Sequence, residues 1–156
     1  MTANNVTRML DASHIPYSFH ETEHIKLGAV EVAGLLGVPP EEVYKTIVIK
    51  REKPGKPILA VIPGPSEVNT KKLAACVGEK KVHVTTMKEA ESLTRLQTGG
   101  ISPLALIHKG FQVILDQSAA EKPAIFVSAG QRGMQVRLAP GDLANLCGAQ
   151  FADITG

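Results

Sequence analysis

The chain has 156 residues, 44% hydrophobic and 21% charged, the proportions of an ordinary globular protein able to build one core, and a single domain over residues 1–156 is the expectation. Seventeen lysines and arginines against 15 acidic residues give a net charge of +2, with a sequence pI near 8.6. That is too mild a bias for a protein that lives on duplex DNA, although a local patch can still hold a few phosphates. Tryptophan is absent and aromatic residues make up 4%, which argues against base recognition by stacking on an aromatic sheet. No apolar leader opens the sequence and no run approaches the ~20 apolar residues of a membrane helix, so a cytoplasmic protein without membrane or DNA partners is expected.

In chain order, Asn4 or Asn5 can cap a first helix whose Val6, Met9 and Leu10 share a face, ending before Ile15-Pro16. Tyr17-Ser18-Phe19-His20 alternates as a strand, and the polar run from Glu21 to Lys26 reads as a loop. Residues 29–36 form a helical pattern that Gly37 stops at the C′ position. After a turn with Pro40 near its start, the run Val43-Tyr44-Lys45-Thr46-Ile47-Val48-Ile49 predicts a strand covered on both faces, because a half-solvated strand would alternate apolar with polar. The Lys53-Pro54-Gly55-Lys56-Pro57 turn leads into a second buried strand, Ile58 to Ile62, as a hairpin.

Asn69 or Thr70 caps a helix that Gly78 ends, Val82 to Val84 is a short strand, and Thr86-Met87-Lys88-Glu89 opens a capping-box helix expected to run to about Leu96. Strands follow at 112–116, 123–128 and 134–138, the last two joined by a glycine-rich hairpin, and a final helix reaches Cys147 before Gly148. About seven strands with four or five helices, linked by hairpins rather than by regular βαβ alternation, make an α+β domain.

Lys45 stands where the buried strand begins. A desolvated, unpaired ammonium is costly, so it either snorkels to water or meets an anion or a carbonyl oxygen. Strand parity does not choose, since Ile47 and Ile49 are in phase with it and Val48 is in phase with Thr46. Gly99-Gly100-Ile101-Ser102-Pro103 has neither P-loop nor dinucleotide-binding spacing. It is a tight connection, or a place where backbone N–H groups approach a ligand closely. Ser128-Ala129-Gly130-Gln131-Arg132-Gly133 is a hairpin turn in which Ser128 can hydrogen-bond a substrate and Arg132 can meet a phosphate.

Other chemistries find less support. No Gly-x-Ser-x-Gly elbow accompanies Ser128, which speaks against a serine hydrolase. His20 and His24 lie on strand and loop without the HExxH order, so no metal site is expected, nor any cofactor. Cys76 and Cys147 sit among apolar neighbours without a CxxC partner, as buried free thiols do. The pairs Lys50-Arg51, Lys71-Lys72 and Lys80-Lys81 are solvated faces that together can form a weak RNA-facing rim.

Four segments, Val43-Tyr44-Lys45-Thr46, Gly99 to Leu104, Val127 to Gly133 and Ala139 to Leu143, resemble in order and spacing the YbaK/EbsC family over nearly the whole chain. That family is related to the editing domain inserted in bacterial prolyl-tRNA synthetases, and its best-known members are free-standing deacylases of mischarged tRNA, especially Cys-tRNA(Pro). The resemblance implies a mostly antiparallel mixed sheet curled into a barrel-like core with flanking helices. It also implies a hydrolase for an aminoacyl ester on the tRNA acceptor end, with prolyl-tRNA synthetase as a partner to consider. Lys45 would hold the CCA end, and the backbone amides around Gly100 and Ile101 would face the developing oxyanion. Thr46, Gly99, Ser102, Ser128, Gly130 and Arg132 would line or frame the substrate pocket. Water, or the thiol of a bound cysteinyl group, would attack the carbonyl, so no protein nucleophile is required.

Two positions depart from the Cys-tRNA(Pro) deacylase pattern: Thr22 stands where those enzymes carry a tyrosine, and Gln135 where they carry an aspartate. Both bear on which amino acid the pocket accepts. A non-catalytic module that captures aminoacyl-tRNA or a nucleotide, and a hydrolase of small thioesters, are the competing functions.

Overall fold

The computed structural model describes residues 4–156. Its first half runs α1 (Asn5–Ala12), β1 (Tyr17–Glu21), α2 (Ala29–Leu36), β2 (Tyr44–Arg51), β3 (Ile58–Pro63), α3 (Thr70–Val77), β4 (Val82–Val84) and α4 (Met87–Thr94). After a long connection come β5 (Gln112–Asp116), β6 (Ile125–Ser128), β7 (Met134–Leu138), α5 (Pro140–Cys147) and β8 (Gln150–Ala152). Short 3-10 turns at Pro40–Glu42 and Gln117–Glu121 precede β2 and follow β5.

Side-chain caps set where helices begin. The Asn4 carboxamide oxygen accepts the Thr7 N–H at 2.8 Å, and the Thr86 hydroxyl accepts the Glu89 N–H at 3.1 Å while the Glu89 carboxylate accepts the Thr86 N–H at 2.9 Å. Helix α4 stops at Thr94, short of the expected Leu96. The Thr94 hydroxyl donates to the Ala90 carbonyl at 2.8 Å and accepts the Leu96 N–H at 3.2 Å, while Arg95 turns left-handed at φ 61°.

The strands form two sheets rather than one. A five-stranded sheet has the order β4-β2-β3-β5-β8, and a three-stranded sheet the order β1-β7-β6. The β2–β3 and β6–β7 pairs are antiparallel hairpins as expected, but β5 lies parallel to both β3 and β8. The barrel-like core implied by the resemblance is therefore corrected: both sheets stay open, with edges at β4 and β8 and at β1 and β6. A single parallel bridge, Val43 to Phe126, stitches them together. Strand β8 and the parallel pairings escaped the sequence pattern because β8 is three residues long and its partner is distant in sequence.

Strand β2 does bury both faces, as its composition predicts. Tyr44 and Val48 enter a core shared with Leu59, Val61, Leu115, Val127 and Val136, while Ile49 joins a second core with Ile58, Ile62, Leu73 and Ile114. The 99–104 loop is fixed from two sides. The Ser102 hydroxyl, fully buried, accepts the Leu104 and Ala105 N–H groups at 3.1 and 3.4 Å. Gly100 packs so closely on the β6–β7 turn that a Cβ would lie 3.0 to 3.1 Å from backbone atoms of Gln131 and Arg132. The half-buried Cys147 thiol is pushed up to about 12 by burial, which makes it a packing residue rather than a nucleophile.

Two stability outcomes follow from this packing. Leu59→Ala, at a fully buried site on a central strand, is expected to lower the unfolding free energy by about 2–5 kcal/mol in urea titration. Gly100→Ala is expected to cost about 1–3 kcal/mol by the same measurement, because the atoms it meets are backbone and cannot swing aside.

Candidate functional site

A cleft of about 200 Å³ opens where the two sheets meet. Its floor is the start of β2, with Val43, Tyr44, Lys45, Thr46 and Ile47; Ser128 and Gln135 come from the smaller sheet. Thr98, Gly99 and Ile101 form one side, and Leu27, Gly28 and Ala29 at the entry to α2 form another. At this size the cleft suits a small group, since drug-sized ligands occupy ~300–1,000 Å³.

Lys45 reaches the cleft because β2 emerges there from between its two cores. Its side chain is 26% exposed, and its nearest carboxylate, Glu67, is 3.9 Å away and 93% exposed. An ion pair that open to water holds a cation weakly. The ammonium is therefore available to a ligand.

The second wall follows from strand alternation. Met134, Val136 and Leu138 of β7 point into the larger core, which turns Gln135 to the opposite face, in register with Ser128 on β6 and His20 on β1. Ser128 keeps its hydroxyl close to the turn, accepting the Gly130 N–H at 3.2 Å. His20 turns to the Ser18 hydroxyl at 2.8 Å and stacks edge-on against Phe126, and burial holds its ring below the usual histidine range, with Arg137 adding to the effect. Gln135 is 5% exposed, and its carboxamide has no hydrogen-bond partner among the described residues.

The glycine loop is clamped from behind. Arg132 Nε donates to the Thr98 carbonyl at 2.7 Å, and the Thr98 N–H donates to the Glu91 carboxylate at 2.7 Å, the main cause that holds Glu91 below the ordinary carboxylate range. The buried Thr98 hydroxyl leans toward the same carboxylate outside hydrogen-bonding geometry. The Gly100 N–H is spent on the Gln97 carbonyl at 2.8 Å, whereas the Ile101 N–H has no partner among the described residues.

Of the residues expected at the site, Lys45, Thr46, Gly99, Ile101, Ser128 and Gln135 meet in this cleft. The other five stand outside it. Gly100 lies behind the loop with its amide occupied, and Ser102 caps the following turn. Gly130 sits in the hairpin against Ala105, and Arg132 braces Thr98 instead of facing an open phosphate site. Thr22 is tied to the same hairpin, its N–H donating to the Gly133 carbonyl at 2.7 Å. Sequence reasoning missed Leu27, Ala29, Ile47 and Thr98 as lining residues; only Thr98, next to the paired glycines, carried a local signal.

The expected basic rim is also reduced. Lys50 pairs with Glu89, Arg51 with Glu79 at 3.5 Å and Lys72 with Asp153 at 2.8 Å, so half of those six cations are neutralised within the fold. The cleft is lined by one cation, the hydroxyl-bearing residues Tyr44, Thr46, Thr98 and Ser128, a carboxamide and Ile101 with its unpartnered N–H, and neither a carboxylate nor a thiol lines it. Such a set can bind a carbonyl and steady negative charge on it, with no thiol or carboxylate beside it to attack or to activate a hydroxyl.

Comparisons with known proteins bear on the family and the fold. The sequence profile of the aminoacyl-tRNA editing domain matches residues 24–146. The chain is 41% identical over 155 residues, 97% of its length and 92% of the other's, to EbsC of Enterococcus faecalis, a proposed Cys-tRNA(Pro)/Cys-tRNA(Cys) deacylase. It is 32% identical over 90 residues to the proline–tRNA ligase of Pelotomaculum thermopropionicum, spanning 58% of this chain and only 15% of that enzyme. Among solved structures, hypothetical protein APE2540 superposes with a TM-score of 0.88 at 23% identity, covering 98% of this chain and all of that one. A proposed trans-editing enzyme for prolyl-tRNA synthetase superposes with a TM-score of 0.77 at 22% identity, covering all of this chain and 99% of that one. At such identities the likeness speaks for the fold alone. The profile match and the EbsC alignment, both running through the segments that build the cleft, place the chain in the aminoacyl-tRNA editing domain family, of the YbaK type.

Proposed function

We propose that the chain is a trans-editing deacylase, residues 1–156 acting as one editing domain, which hydrolyses the ester of a mischarged tRNA(Pro), with Cys-tRNA(Pro) as the first substrate to test. The observation that carries this reading is the composition of the cleft: Lys45 and Ile101, whose N–H has no partner among the described residues, line a space sized for a small acyl group, and neither a thiol nor a carboxylate lines it. The EbsC relationship supplies the substrate. Lys45 holds the phosphate or carbonyl of the acylated 3′ end, and the Ile101 N–H faces the oxygen that becomes negative as the carbonyl turns tetrahedral. Thr46, Gly99 and Ser128 line the bound acyl group. The terminal adenosine stays at the mouth, since the cleft is too small to hold it as well. A water molecule, or the thiol of a bound cysteinyl group, supplies the electron pair that breaks the ester.

Arg132 acts at one remove, by holding the Thr98 carbonyl and with it the loop that carries Ile101. No helix among the described residues is long and apolar enough to cross a membrane, in keeping with work on tRNA in the cytoplasm. Prolyl-tRNA synthetase is the partner this reading brings in.

A panel of mischarged tRNAs, Cys-tRNA(Pro) and Ala-tRNA(Pro) included, tests the activity; if none is deacylated faster than in buffer, the reading fails. Lys45→Ala is expected to lower kcat/KM by about 100-fold or more while Tm stays within about 2 °C, because the side chain is partly exposed and only loosely paired. A large fall in Tm with that substitution would return the lysine to a structural role. Raising the salt from about 50 to about 200 mM is expected to increase KM for the tRNA several-fold while kcat changes little, since phosphate contacts release counterions.

A further inference from the structure

An aminoacyl ester carries a positive α-ammonium on the carbon next to the carbonyl that is attacked. A pocket built to demand that group would present a carboxylate to it. This cleft presents none, and its one charged side chain is another cation, Lys45. The carboxylates nearby are used elsewhere: Glu31 accepts the Gly28 N–H at 3.1 Å, and Glu67 stands in solvent beside Lys45. Across the cleft, on the other sheet, Gln135 lines the cavity, and its carboxamide makes no hydrogen bond among the described residues. Thr98 Oγ1 is the buried side-chain oxygen left unpaired among the described residues, so the Gln135 carboxamide stays open to the cleft, where a ligand can meet it.

We infer that Gln135, with the Ser128 hydroxyl beside it, is the subsite for the α-substituent of the acyl group, and that it reads a hydrogen-bond donor rather than a positive charge. This rests on the reading that the cleft holds an acylated 3′ end. A carboxamide oxygen accepts equally from N–H and O–H, whereas a carboxylate favours the cation. Lys45 adds repulsion against an α-ammonium and none against an α-hydroxyl. The substrate class is therefore wider than aminoacyl esters and takes in α-hydroxyacyl esters of the same size.

The test uses non-hydrolysable ligands, 3′-alanylamido-3′-deoxyadenosine and its 3′-lactylamido counterpart, which differ only in the α-substituent. Their dissociation constants are measured by calorimetry near pH 7. Wild-type protein is expected to bind the two within about fivefold of each other, and Gln135→Glu to favour the alanyl ligand by about tenfold or more, a swing set by the new ion pair. Gln135→Leu, similar in size and without a polar group, is expected to weaken both ligands by about tenfold and keeps the test decisive where the glutamate variant fails to fold.

A wild-type preference for the alanyl ligand above about tenfold overturns the inference, as does an unchanged ratio in Gln135→Glu or undiminished binding in Gln135→Leu. It is overturned too if the substitutions alter the preference for a cysteinyl over an alanyl side chain and leave the amino-to-hydroxy ratio alone, since the carboxamide would then face the side chain. The two readings separate cleanly. Binding in the expected ratios without turnover of any mischarged tRNA removes the deacylase and keeps the subsite; turnover with a strong preference for the ammonium does the reverse.

Discussion

Strand β2 has to bury both of its faces, and that requirement locates the cleft. Tyr44 and Val48 feed one hydrophobic core, Ile49 feeds the other, and β3 pairs with the strand from Tyr44 to Ile49. At its start, Val43 and Tyr44 are buried against the smaller sheet, and Lys45 and Thr46 are the residues left facing the cleft. A strand squeezed between two cores has little freedom to slip, because a shift of one residue would exchange its faces and drive Lys45 into the wrong environment. The lysine is thus held by packing at a distance from itself, without a strong ion pair of its own.

The remaining walls are positioned by polar contacts. The loop from Thr98 to Ile101 is gripped by Arg132 and Glu91 and pressed against the hairpin at Gly100. Donors fixed in advance need no reorganisation when charge develops in front of them, which is the condition under which backbone amides are most effective. The same contacts explain why residues that looked like substrate contacts stand back from the cleft. Ser102 and Arg132 satisfy backbone groups that would otherwise be left unpaired in a partly buried loop.

Much of this was legible in the sequence where the information is local. Caps at Asn4 and Thr86, the stop at Gly37, the two hairpins and the doubly covered character of β2 each follow from a few neighbouring residues. The division into two sheets was not legible, since it depends on β5 choosing β3 and β8 while β6 and β7 choose β1, pairings that no short pattern specifies. The site divides in the same way. Lys45, Gly99, Ile101 and Ser128 stand in recognisable motifs, whereas Leu27, Ala29 and Thr98 become lining residues only once the sheets meet. Whether an amide in a glycine loop is free, as at Ile101, or spent, as at Gly100, is a matter of angstroms that composition does not record.

The division of the cleft between two sheets has an evolutionary consequence. Lys45 and Thr46 belong to one sheet and Ser128 and Gln135 to the other, so these two cleft-facing positions of the β6–β7 hairpin can change while its core residues Val127 and Val136 keep the packing that holds the lysine. New acyl preferences are then open to descendants by exchange at two positions, an arrangement in which the anchor is inherited and the reader is replaced.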